Sequence, residues 1–185
     1  MPMIDCKPCA EDTLTDTAKV RFPKNVYVRD ENNRLIPIGG TNQNVGGFSG
    51  AVPLFLRGDK VTISAGYIYY DRQRNEKTDT SVWFEGFVTK VHTGLPIEIE
   101  CEDNMYKLKQ IQAPSKVWTA KMYTLESMLK EMLKDTPYTV NALTKTTLGD
   151  FRTENETVAE VLARLRKDYH FESYFRGDEL RCGSK

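Results

Sequence analysis

The sequence predicts a mainly β chain in two parts: a small barrel-like β domain over residues 18–113, then a small α+β domain of two helices and short strands over 114–185. Three observations predict this. Period-2 alternation runs through residues 61–70 and 82–91, as half-buried strands require. After Trp118 the pattern changes to apolar residues at helical spacing, preceded by capping residues. Pro114 falls between the two patterns.

Residues 1–17 are polar and contain proline, and read as a flexible arm. Val20, Phe22, Val26 and Val28 open the β region, with Pro23 at an edge or break. Asp30-Glu31-Asn32-Asn33 reads as a turn, and an extended segment resumes over 34–38, which together predict a hairpin. Residues 39–53 carry glycines with Asn, Gln and Ser and few charges. No Gly-Lys-Ser/Thr closes the run and no helix pattern follows, so a contact loop fits better than a phosphate cradle.

Arg57-Gly58-Asp59 then turns the chain into a strand. There Val61, Ile63, Ala65, Tyr67 and Tyr69 alternate with Thr62, Ser64, Gly66, Ile68 and Tyr70. The same triplet spells a cell-adhesion motif, which three residues at a turn do not support. Residues 71–80 read as a charged connection. In the next strand Val82, Phe84, Gly86 and Val88 share one face, and Trp83, Phe87 and Val91 the other. Strands apolar on two faces are covered on two sides, as in a small barrel or a subunit interface. Ile97, Ile99 and Cys101 then face inward with Glu98 and Glu100 outward, and Asp103-Asn104 caps a helical turn over 105–108.

In the second part, Thr124 caps a helix with Leu125, Met128, Leu129, Met132 and Leu133 on one face, and Pro137 ends it. Residues 138–140 form a short strand. Thr157 with Glu160 is a capping box ahead of Val158, Val161, Leu162 and Leu165. Residues 171–175, a turn at Gly177-Asp178 and residues 180–182 close the chain as a hairpin.

The bulk composition narrows the function. Lys and Arg total 26 against 26 Asp and Glu, so no net positive field draws nucleic acid. No apolar run approaches the length of a membrane span, and the N-terminus lacks a secretory pattern, so synthesis in the cytosol is expected. Cys101 and Cys182 sit in strand-like runs and read as buried apolar residues. Cys6-Lys-Pro-Cys9 has redox or half-zinc spacing, but a polar tail follows where a helix should. Neither His92 nor His170 has a companion that would complete a site.

No catalytic, cofactor or metal residues are therefore expected. Glu98 and Glu100 lie roughly 7 Å apart along a strand, within reach of an inverting glycosidase pair, but alternation sets them on a solvated face. The interleaved Tyr67, Tyr69, Tyr70, Trp83 and Phe87 suit either base stacking or an interface. Without a basic field the interface is favoured, with Tyr67, Tyr69, Trp83, Phe87 and Phe48 as its candidate residues.

Three segments together resemble a known family. Residues 54–61 (LFLRGDKV) lead to Ala65-Gly66-Tyr67; residues 84–88 (FEGFV) follow; then come residues 96–105 (PIEIECEDNM) with Leu108-Lys109. Their order is similar to baseplate hub proteins of contractile-tailed phages, the late control protein D group. Thr157-Val158, Glu160-Val161-Leu162, Leu165, Tyr169 and the Phe171/Phe175 hairpin resemble the domain after the first hub barrel. The resemblance covers about residues 18–183 and matches only the first part of the family's length.

It implies a virion structural protein, phage or prophage, that assembles in the host cytoplasm and resides in the tail. There it would form an oligomeric ring, a homotrimer, joining tail tube to spike, with no enzymatic activity, cofactor, specific nucleic acid or membrane span. A small-barrel module binding oligonucleotide or carbohydrate is the alternative.

Overall fold

The computed structural model describes residues 3–7, 15–23, 27–29, 32–33, 35–37, 55–92 and 96–184. They are mostly β, and they divide into two compact units, one of residues 3–7 and 17–102 and the other of 15–16 and 103–184, so that the main cut falls between Glu102 and Asp103. That division lies ahead of the one expected at Pro114. The reason is packing: Met105, Leu108 and Ala113 are buried in the second unit's core. Backbone bonds from Ala113 N to Glu156 O (2.9 Å) and from Val158 N to Ile111 O (2.9 Å) bind the segment there.

The first unit holds β1 (Met3–Lys7), β2 (Thr17–Phe22), β3 (Tyr27–Arg29), β4 (Leu35–Pro37), β5 (Lys60–Tyr70), β6 (Glu76–His92) and β7 (Ile97–Glu102). Its main sheet has the order β1-β2-β7-β6-β5 and curls into a half-barrel, the open counterpart of the barrel expected. Met3–Lys7 falls within the arm expected over 1–17. It is instead an antiparallel edge strand, in register from Met3↔Arg21 to Lys7↔Thr17, so β2 satisfies its backbone groups. β3 and β4 form the hairpin read from the sequence.

One face of the sheet buries Ala18, Val20, Ile63, Phe84, Val88, Ile99 and Cys101, with Phe22, Phe55, Val61 and Val91 packed around them. Alternation sends Lys19, Arg21, Glu98 and Glu100 to the opposite face. Two bulges interrupt β6. Ile63 pairs Phe84 while Ser64 pairs Val82, leaving Trp83 extra. Val88 pairs Cys101 while Lys90 pairs Glu100, leaving Thr89 extra. The second bulge reverses alternation, so Val91 joins Val88 against the core and not the Phe87 face where simple alternation sets it.

β6 also begins earlier than expected. Residues 76–80, the second half of the charged connection expected over 71–80, pair with β5, and only residues 71–75 turn. At the other end of β5, Arg57-Gly58-Asp59 forms the turn. Gly58 has φ 94°, and the Asp59 carboxylate accepts from Leu56 N at 2.7 Å.

The second unit runs α1 (Met105–Leu108), β8 (Lys116–Trp118), α2 (Leu125–Met132), β9 (Thr139–Ala142), β10 (Phe151–Thr153), α3 (Val158–Tyr169), β11 (Glu172–Arg176) and β12 (Glu179–Gly183). Asp103, not Asn104, caps α1, accepting from Met105 N at 3.0 Å. Thr124 with Ser127 and Thr157 with Glu160 form reciprocal capping boxes on α2 and α3. α3 ends at His170, which takes the left-handed conformation at φ 58°.

β12 lies between antiparallel β11 and parallel β9, and β8 pairs with β10. The apolar stripes of α2 and α3 meet Trp118, Phe151, Leu180 and Cys182 in one buried cluster. Burial pushes the Cys182 thiol up to about 11, so it packs as a neutral apolar group.

Candidate functional site

β7 pairs with β6 only over Phe87–His92, whereas β5 pairs with β6 along its whole length. Residues 64–70 and 76–82 are therefore hydrogen-bonded only to each other among the described strands. They form a two-stranded ribbon that extends past β7.

One face of the ribbon carries Ala65, Tyr67 and Tyr69 opposite Ser81, Asp79 and Lys77. Trp83 leans onto that face, donating Nε1–H to Ser81 Oγ at 3.1 Å. The other face carries Gly66, Ile68 and Tyr70 opposite Thr80, Thr78 and Glu76, with Val82 opposite Ser64. Tyr67 is 80% exposed, Trp83 67%, Tyr70 66% and Ile68 63%. Exposed apolar side chains are thus concentrated on this ribbon.

Three of the five residues named from sequence, Tyr67, Tyr69 and Trp83, thus lie together on one ribbon face. Phe87 does not join them: it is half-buried at the base, opposite Lys60 and Glu102. Phe48, the contact loop over 39–53 and Cys9 lie outside the described residues, as does the side chain of Cys6. Ile68, Tyr70 and Val82 are not among the five named candidates, although they belong to the two strands read as apolar on both faces.

The ribbon's tip is tightly held. The Asp71 carboxylate accepts from Gln73 N at 2.8 Å and Asn75 N at 2.9 Å, while Asp71 N donates to Asn75 O at 3.0 Å. These donors, the Asn75 backbone amide foremost, hold Asp71 below its ordinary carboxylate value. Arg72, Arg74 and Lys77 balance Asp71, Glu76 and Asp79, so the ribbon offers no positive field to a phosphate backbone.

Glu98 and Glu100 lie on the face away from the core row, as alternation requires, and cations from β2 hold them there. Lys19 Nζ is 2.9 Å from Glu98 and 3.4 Å from Glu100, and Arg21 Nε bonds Glu98. His92 Nε2 is 2.9 Å from Glu100 Oε1. Hydrogen bonds from Arg21 first and Lys19 second lower Glu98 to about 2. Its neighbour Glu100 is lowered chiefly by His92. A carboxyl group this acidic holds no proton to donate near neutrality.

The ligating atoms of His92, Glu98 and Glu100 lie within 4.8 Å of one another, a spacing a metal ion could use. Lys19 lies beside both carboxylates and Arg21 beside Glu98, so an ion there would compete with these cations. An adjoining cavity of about 380 Å³ is lined by both signs, Asp5, Glu100 and Glu102 with Lys19 and Arg21.

The ion pairs predict an acid transition. A lowered folded pKa means the stabilisation is complete above the ordinary carboxylate value of 4.5 and is lost as pH falls through about 2. Urea midpoints measured across that window should fall steeply for the native chain and less steeply for Glu98→Gln. Identical slopes would remove Glu98 as a source of the acid sensitivity.

No family model matches the sequence, and no curated protein does. Among solved structures the chain is similar to the tail protein from Neisseria meningitidis MC58, with TM-score 0.53 and 13% identity over 98% of this chain and 45% of that one. It is also similar to the 43 kDa tail protein of prophage MuSo2 from Shewanella oneidensis, with TM-score 0.51 and 10% identity over 98% of this chain and 53% of that one. At such identities the likeness establishes a shared fold. The chain spans about half the length of each.

Proposed function

We propose that the chain is a structural, non-catalytic component of a phage or prophage tail. Within the tail we assign it to the baseplate hub, in an oligomeric ring, trimeric in the full assembly, that joins tail tube to spike. The observation that carries this reading is the extent of the fold match: 98% of the chain follows the fold of two tail proteins. The exposed ribbon supports it, because an assembly protein must present apolar surface that its own core does not consume. The ion-paired carboxylates are compatible with it, since Arg21 and Lys19 hold Glu98 ionised.

Co-expression of the chain with the tube and spike proteins of its own tail tests the reading. A complex that co-purifies and appears as rings in electron micrographs is the expected result. A chain that binds neither partner, and is absent from purified tails by mass spectrometry, would overturn it.

A further inference from the structure

Among the described residues the β5 edge is unguarded. It is the terminal strand of its sheet among the described residues, and residues 61–70 contain no charge and no proline. Natural edges are usually blunted by charged residues, prolines or covering segments, because a bare edge invites another strand. Every charged residue of the ribbon lies on the turn or on β6, so nothing on residues 64–70 repels an incoming strand.

The order of side chains along this edge indicates which strand fits. Residues 64–66 are Ser, Ala and Gly; residues 68–70 are Ile, Tyr and Tyr; Tyr67 stands between them. The small half and the large half are thus distributed antisymmetrically about Tyr67. We infer that β5 is a self-pairing edge, at which two copies of the chain join by antiparallel alignment of residues 64–70 about a two-fold axis at Tyr67.

In that register Ser64 meets Tyr70, Ala65 meets Tyr69 and Gly66 meets Ile68. Each large side chain lies beside a small one, and opposed residues share a ribbon face, as antiparallel pairing demands. Tyr67 meets its own copy as a cross-strand aromatic pair. Gly66 is bare for a further reason: a Cβ there would lie 1.9 Å from Asp79 O of its own ribbon. With no side chain of its own, Gly66 sets nothing against Ile68 of the second copy. An isologous contact of this kind closes on itself and stops at two chains. It needs no tail component; it draws on the ribbon that also supports the ring proposed above, and the measurements below separate the two readings.

Cysteine cross-linking of the full chain tests the register, in a background carrying Cys6→Ser and Cys9→Ser; Cys101 and Cys182 are buried. Directly opposed Cβ atoms lie about 4.5–5.5 Å apart, close enough for a disulfide after slight adjustment. Tyr67→Cys should cross-link to itself on mild oxidation. Ala65→Cys should not, since its copies would be offset by roughly 13 Å. A mixture of Ala65→Cys and Tyr69→Cys should give the heterodimer.

Sedimentation should show a concentration-dependent dimer. Tyr67→Lys, which opposes like charges, should weaken it by roughly tenfold to a hundredfold, and mixing Tyr67→Lys with Tyr67→Glu should restore it. A chain that is monomeric at all accessible concentrations would overturn the inference. So would a trimer or hexamer that survives Tyr67→Lys, but that result would leave the tail-assembly reading intact. Failure to bind tube and spike with the dimer preserved would do the reverse.

Discussion

Replacing Trp118 by alanine is expected to lower the stability of the second unit by about 3–5 kcal/mol, the range for removing a large buried aromatic side chain. Trp118 is 1% exposed and sits among residues from α2, α3 and β10. Its Nε1–H donates to Thr153 Oγ1 at 2.9 Å, and Thr153 donates in turn to Pro114 O. Tyr123 meets the ring edge-on at 5.0 Å, and Lys116 Nζ lies 4.0 Å above it. The substitution therefore opens a cavity and removes the hydrogen bond and cation–π contact together. Urea unfolding followed by far-ultraviolet circular dichroism would measure the loss. Trp83→Ala is the control: its side chain is largely exposed, so the midpoint should hardly move. Equal shifts for the two variants would contradict the packing described.

Gly86→Ala is expected to destabilise the first unit by about 1–3 kcal/mol or somewhat more, the usual consequence of forcing volume into a packed sheet. A methyl group at Gly86 would lie 2.1 Å from Glu102 O and 2.7 Å from the Phe84 ring. The first neighbour is backbone, so β6 and β7 must separate where the buried row of Phe84, Val88, Ile99 and Cys101 is tightest. Amide hydrogen exchange should report accelerated opening of β7 with protection in α3 unchanged. Gly149→Ala provides the contrast. Gly149 has φ 70° but open space around it, so only backbone strain is added. A Gly86→Ala chain with native exchange in β7 would refute the close approach.

The second unit was legible in the sequence because its signals are local. Capping residues three positions apart, stripes at helical spacing and a Gly-Asp turn each act within a few residues, and the structure follows them. The first unit was legible only where burial imprints alternation. Residues 76–81 are charged or hydroxylated and form a strand because β5 lies alongside, not because any side chain is buried. The bulge at Thr89 has no local signature, yet it turns Val91 inward. Glu98 and Glu100 were recognisable as partners on one face. The cations that hold them come from Lys19 and Arg21, far away along the chain, and spacing arguments do not reach that far. Tyr67, Tyr69 and Trp83 stood out because aromatic side chains filled both phases of an alternating pattern.

The turn at Asp71 bears on how a projecting arm can be used. A hairpin loop that fluctuates must be frozen when it docks, and the lost conformational freedom is subtracted from affinity. Here one carboxylate gathers two amides, and the chain returns at Asn75 hydrogen-bonded to Asp71. A partner docking at the ribbon's far end would meet a turn whose hydrogen bonds its own chain already supplies.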